Sequence, residues 1–128
     1  MKKSESLRAG EGFRRTLLEG ERIEAKFLRC YYRIVEDEGP PIRVGFAVPS
    51  RSFNAVRRNR VKRLLREAVT REKKVVEEAL NTAQIRATAV ILFRGSKSHP
   101  VARMKLQTLQ PHVAALCRSL AAKLRSVQ

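Results

Sequence analysis

The sequence predicts a single α+β domain built on one small sheet, and three observations carry that prediction. Apolar residues recur at strand spacing in two stretches before residue 50. An unbroken apolar run of strand length follows at Ala89–Phe93, and helical periodicity fills both the stretch between them and the C-terminal one. The length, 128 residues, suits one core, and an apolar share of 43% is enough to fold despite the charge. No internal repeat or low-complexity linker divides the chain, and residues 1–6 are expected to hang loose from the domain.

Leu7–Glu19 reads as the first helix, with Phe13, Leu17 and Leu18 able to share a face and Gly20 closing it. Ile23–Val35, rich in Phe, Leu, Tyr, Ile and Val, reads as one extended stretch. Glu36–Pro41 has the composition of a hairpin loop, and Ile42–Val48 resumes with Ile42, Val44, Phe46 and Val48 on one pleat face. These two stretches are therefore expected to pair antiparallel. Pro49 and Ser50 end the strand, Asn54 can cap a helix, and one helix is expected from Ala55 to about Leu80, roughly 39 Å long. Arg86–Arg94, with its continuous apolar run, suits a central strand covered on both faces. Gly95–His99 reads as a turn or loop. Leu109, Val113, Leu116, Leu120 and Leu124 describe a C-terminal amphipathic helix with Pro111 in its first turn. Val101–Thr108 is compatible with either a helical turn or an ordered loop.

The charge narrows the function. Against 12 acidic residues stand 28 Lys and Arg, a net +16 with a pI near 11.2, which points to nucleic acid. Half of that excess lies in one segment, Arg51 to Lys74. Within it, Arg57–Arg66 holds six cations and no acid. Asn59, Lys62, Arg63 and Arg66 fall at i, i+3, i+4 and i+7, while Val61, Leu64, Leu65 and Ala68 repeat that spacing on the opposite side. One face docks and the other reaches out. A merely solvated helix would intersperse acids at i,i+4, and the first here is Glu67.

Chemistry for a free-standing enzyme is missing from the sequence. The single aspartate, Asp37, lies between Glu36 and Glu38 in what reads as an exposed loop, and His99 and His112 stand apart, each beside a proline, as surface or helix-end residues. Cys30 and Cys117 have no thiol or histidine at metal-ligand spacing and read as buried apolar residues, with neither zinc nor a disulfide. Ala9-Gly10-Glu11-Gly12 lacks the strand and helix of a phosphate loop. No stretch approaches the roughly 20 apolar residues of a membrane span, and the N-terminus lacks a signal-peptide core, so a cytoplasmic protein is expected.

The thirteen residues Ala55-Val56-Arg57-Arg58-Asn59-Arg60-Val61-Lys62-Arg63-Leu64-Leu65-Arg66-Glu67 resemble the signature helix of the bacterial ribonuclease P protein component. The resemblance extends over Leu7 to Arg94, through Phe13 in a first helix, Arg43-Val44-Gly45-Phe46 before the basic helix, and a late strand ending Phe93-Arg94. It implies a central mixed sheet flanked by helices with a left-handed βαβ crossover, similar to domains of some ribosomal proteins. It also implies an endoribonuclease that works as a ribonucleoprotein. A large RNA carries the Mg²⁺-dependent removal of the 5′ leader from precursor transfer RNA, and the protein assists with no active site and no obligate protein partner of its own. The resemblance assigns Arg58, Asn59, Arg60, Lys62 and Arg63 to the catalytic RNA, with Arg57 and Arg66 as further phosphate contacts. Arginine forks suit phosphate oxygens in pairs, and Asn can both donate and accept. A second surface, a cleft for the single-stranded leader, draws on Phe13, Tyr31 or Tyr32, Phe46 and Arg51 as stacking planes and a cation.

The chain departs from the family pattern at Leu17, where a second aromatic is usual, at Arg51-Ser52-Phe53 in place of Lys-x-Gly, and at Arg86-Ala87-Thr88, where an acidic lead-in is usual. Three other classes compete. A ribosomal RNA-binding structural protein would share the charge but not require the signature. A DNA-binding module would want a helix and turn before its recognition helix. A free-standing nuclease would want clustered carboxylates or histidines, which are missing.

Overall fold

The computed structural model describes residues 3–36, 38–49, 54–94 and 105–126. Helix α1 spans Glu11–Glu19, strands β1 and β2 span Glu21–Ala25 and Leu28–Val35, and β3 spans Ile42–Ala47. Helices α2 and α3 cover Ala55–Glu72 and Lys74–Ala83, then come β4, Arg86–Phe93, and α4, Leu106–Arg125. The sheet order is β1-β2-β4-β3, with β3 parallel to β4 and the other pairs antiparallel. Helices α2, α3 and α4 bury one face of the sheet, where Ile42, Val44, Cys30, Ala89 and Ile91 meet Val69, Val76, Leu116 and Leu120. Helix α1 crosses the other face. Its Phe13 lies on Gly45 of β3, its Thr16 hydroxyl pairs with that of Thr88 of β4 at 2.6 Å, and Gly20 after it abuts the Tyr32 carbonyl of β2.

Strand β4 is central and buried along most of its length, as its apolar run required. That placement overturns the expected β2–β3 hairpin. A hairpin would have pushed the most apolar strand to an edge, so the link from β2 to β3 instead passes the start of β4, held there by Ala87 N–H on the Pro41 carbonyl at 3.0 Å and Arg86 Nε on the Gly39 carbonyl at 3.1 Å. The expected single stretch Ile23–Val35 is itself a hairpin. Lys26 takes a left-handed φ of 39° without a glycine, and Phe27 turns inward to meet Phe93 and His112 edge-on. His112 is thus half-buried against an aromatic ring and not a surface histidine.

Asn54 caps α2 as expected, its side chain accepting from the Arg57 N–H at 2.9 Å. The long helix breaks its regularity at Lys73, whose ψ of −14° tightens the turn so that its carbonyl accepts from both Val76 and Glu77. Helix α1 begins only at Glu11, and Leu18 is exposed instead of sharing the inner face with Phe13 and Leu17. Helix α4 opens at Leu106, so Pro111 sits in its second turn and not its first. From residue 3 on, the expected loose tail is tied down: a 3-10 turn at Lys3–Glu5, a parallel bridge from Ser6 to Val44, and a largely buried ion pair between Glu5 and Lys73.

Candidate nucleic-acid interface

Helix α2 presents its cations as the spacing required. Val61, Leu65 and Ala68 are buried and Leu64 packs beside them, whereas Arg57, Asn59, Arg60, Arg63 and Arg66 are exposed and Arg58 and Lys62 half-buried. Among the described residues, Arg57, Lys62 and Arg63 form no ion pair, and the helix carries no acid in its first turn. Cations at the positive end of a helix macrodipole repel both it and one another. An anion placed there relieves both terms, and the uncapped N–H groups add donors to it.

Gly45 to Ala47 at the end of β3, with Val48 just after it, floor an open cleft walled by Leu7, Arg8, Ala9 and Phe13 on one side and by Lys62 and Arg66 on the other. Two candidate sites therefore meet. Lys62 and Arg66 belong to the basic face of α2 and also line the cleft that holds Phe13. Phe46 sits at this junction, 8% exposed and on the helix-covered side of the sheet, with the Arg66 guanidinium 5.7 Å from its ring centre. A cation over an aromatic face is favourable, and here it also holds Arg66 at the mouth.

Strand register decides between the two tyrosines. Gly45 pairs with Val90, Val90 with Tyr31 and Tyr31 with Arg22, so these four stand in one row on the α1 side. The next row on that side is Ala47, Leu92, Arg29 and Glu24. Tyr31 is half-buried there, beyond the Phe13 ring that rests on Gly45. Tyr32 points the other way. It is 4% exposed under the helices, donates to Glu21 Oε2 at 2.7 Å, and its phenol is raised by burial and by that bond. Tyr32 does not line the cleft, and Arg51, with Ser52 and Phe53, lies outside the described residues.

Sequence reasoning missed Gly45 and Arg8. A β-carbon on Gly45 would stand 2.8 Å from two ring carbons of Phe13 and 2.7 Å from the Leu7 carbonyl oxygen, so only glycine admits the ring. The signal was available, because a glycine inside a strand marks a close approach. Arg8 had none, since its place depends on the bridge from Ser6 to Val44.

A profile of Ribonuclease P matches residues 1–120. The chain belongs to the ribonuclease P protein family. Among curated relatives, the ribonuclease P protein component of Bacillus velezensis is 35% identical over 77 residues, covering 60% of this chain and 66% of that one. A Bacillus cereus relative of the same description is 31% identical over the same length. The matched stretch thus spans just under two thirds of these relatives. The fold is shared more widely. The RNase P protein of Staphylococcus aureus superposes with a TM-score of 0.70 at 20% identity over 95% of this chain and 98% of that one, and that of Thermotoga maritima with 0.69 at 22% over 97% and 98%.

Among the described residues, no three His, Cys, Asp or Glu side chains converge as a metal site, and no helix is long and apolar enough to cross a membrane. Cys30 and Cys117 are unpaired and buried, both thiols pushed up by desolvation, Cys117 to about 12.

Proposed function

We propose that this chain is the protein subunit of ribonuclease P, binding the catalytic RNA through α2 and the 5′ leader of precursor transfer RNA through the cleft at α1. The observation that carries the proposal is the junction: Lys62 and Arg66 lie on the basic face of α2 and in the wall of the cleft that holds Phe13. A ligand leaving the α2 surface passes over an aromatic ring with cations on both sides, which fits a single strand of RNA better than a duplex. Phosphate contacts fall to Arg57, Arg58, Arg60, Lys62, Arg63 and Arg66, with Asn59 beside them to donate and accept at a sugar or base edge. Phe13 and Tyr31 are the stacking candidates.

The hydrolysis itself is assigned to the RNA, with Mg²⁺ held mainly there. Glu24 is paired with Arg29 at 2.8 Å and Glu5 with Lys73. The test is reconstitution. The purified protein should leave precursor transfer RNA intact and should stimulate a cognate catalytic RNA at moderate Mg²⁺. Robust cleavage by protein stripped of RNA overturns the assignment, and co-purification with ribosomal RNA alone favours a ribosomal structural role.

A further inference from the structure

On the α1 side of the sheet, beyond the α1 helix, one carboxylate gathers three guanidinium groups. Glu24 Oε1 lies 2.8 Å from Arg29 Nη2 and 3.7 Å from Arg22 Nε, and Glu24 Oε2 lies 3.5 Å from Arg94 Nη1. Arg29 is the member held fast. It is paired with Glu24 across β1 and β2, its Nε also donates to Glu24 Oε1 at 2.9 Å, and its remaining arm, Nη1, donates to the Tyr31 hydroxyl at 3.2 Å. Each of the three nitrogens of Arg29 therefore has a contact inside the protein. Its guanidinium is raised above the ordinary value, first by the bond to Tyr31 and also by Glu24.

A phenol oxygen that accepts a hydrogen bond from a guanidinium keeps its own O–H to donate. Among the described residues the Tyr31 hydroxyl has no other partner, and the ring stands in the row that begins with the Phe13 contact at Gly45. The phosphate oxygens of a single strand are acceptors only, unlike the ribose 2′-hydroxyls. We propose that Glu24 and Arg29 are positioning residues which fix the Tyr31 ring and aim its O–H at a phosphate oxygen of single-stranded RNA that runs on from the cleft, past Phe13, along this row. The inference rests on the reading of that cleft as the leader site. Arg22 and Arg94, more exposed and more distant from Glu24, supply the local positive field, while Arg29 supplies geometry.

Charge and geometry predict opposite signs for one substitution. Glu24→Gln removes a negative charge beside the ligand, so a purely electrostatic cluster binds leader more tightly. A positioning cluster loses the clasp on Arg29 and binds it more weakly. The experiment measures affinity of the reconstituted holoenzyme for precursor transfer RNA bearing a leader of several nucleotides, and for the leaderless form. The variants are Glu24→Gln, Arg29→Gln, Tyr31→Phe, the Arg29→Gln/Tyr31→Phe pair and, as a separate control, Phe13→Ala. Expected are losses of about five- to tenfold for leader-bearing RNA in each single variant, with the pair no worse than either member, as for groups acting as one unit. Leaderless RNA and thermal unfolding should change little, and Arg29→Lys should not rescue, because an ammonium cannot span both partners. Tighter binding by Glu24→Gln, multiplicative losses in the pair, or a shallower salt dependence in Arg29→Gln overturns the positioning role. If Phe13→Ala alone abolishes leader discrimination, the cleft reading survives without this inference, and if no variant affects it both fall.

Discussion

The Gly45→Ala substitution tests how closely the cleft depends on one ring. An ordinary carbon contact sits near 3.5 to 4.0 Å. The new methyl would stand 2.7 Å from the Leu7 carbonyl oxygen and 2.8 Å from two carbons of Phe13, so about 1 Å of separation must be found. Leu7 cannot supply it cheaply, because its N–H donates to the Val44 carbonyl at 2.9 Å and that bond holds the segment on the edge of β3. Phe13 must move instead. Overpacking of this kind costs about 1 to 3 kcal/mol, and replacing a strand glycine returns roughly 0.5 to 1 of it, leaving about 0.5 to 2 kcal/mol. For a chain of this size that lowers Tm by roughly 2 to 8 °C. Thermal unfolding followed by circular dichroism gives the first number. Holoenzyme affinity for leader-bearing and leaderless precursor gives the second, which should show a several-fold loss confined to the leader-bearing form. Affinity for the catalytic RNA should be unchanged, because α2 is untouched. Retention of both Tm and leader discrimination would refute the close-packing argument, since the methyl would then have found room without moving the ring.

Three further outcomes are expected. Phe13→Ala should cost on the order of 1 to 3 kcal/mol of leader-dependent affinity if the ring stacks on a base. Because Phe13 is only half-buried, its loss of stability should stay below the roughly 3 to 5 kcal/mol of a fully buried phenylalanine, and a full core-sized loss without any leader effect sinks the stacking role. Replacing Arg58, Arg60 and Lys62 together with Gln should weaken binding to the catalytic RNA and reduce the slope of log K against log salt by up to about one unit per lost phosphate contact, whereas an unchanged slope places the RNA elsewhere. Cys117, pushed up to about 12 from 9.0 by burial first, should resist alkylation in the native state at neutral pH. A thiol whose folded value is raised stabilises fully below the unfolded value and loses that contribution as pH climbs towards the folded one, so stability should decline above about pH 9. Rapid labelling of the native protein at pH 7 contradicts the burial.

What was legible in the sequence follows from which forces are local. The α2 face was readable because side-chain direction on a helix is fixed by residue number, and Asn54 marked its start. The central place of β4 was readable because a run without polar residues has no face to give to water. Pairing partners were not, since an acidic, proline-containing link suits a hairpin and a crossover equally, and only the demand of β4 for two neighbours separates them. The turn at Lys26 carried no glycine, asparagine or aspartate, and was paid for by the burial of Phe27, a tertiary contact. The same limit applied to the site. Period-two alternation states that Tyr31 and Tyr32 face opposite ways but not which one faces the helices. Glu21 is the partner that breaks the tie, because its carboxylate can accept from Tyr32 only once β1 has folded back on β2, a hairpin the sequence did not announce. The proposed RNA-binding surface, assembled from α2, β3 and the segment before α1, is therefore specified in two steps: the helix by its own spacing, and the cleft by a strand order that a single apolar strand imposes on its neighbours.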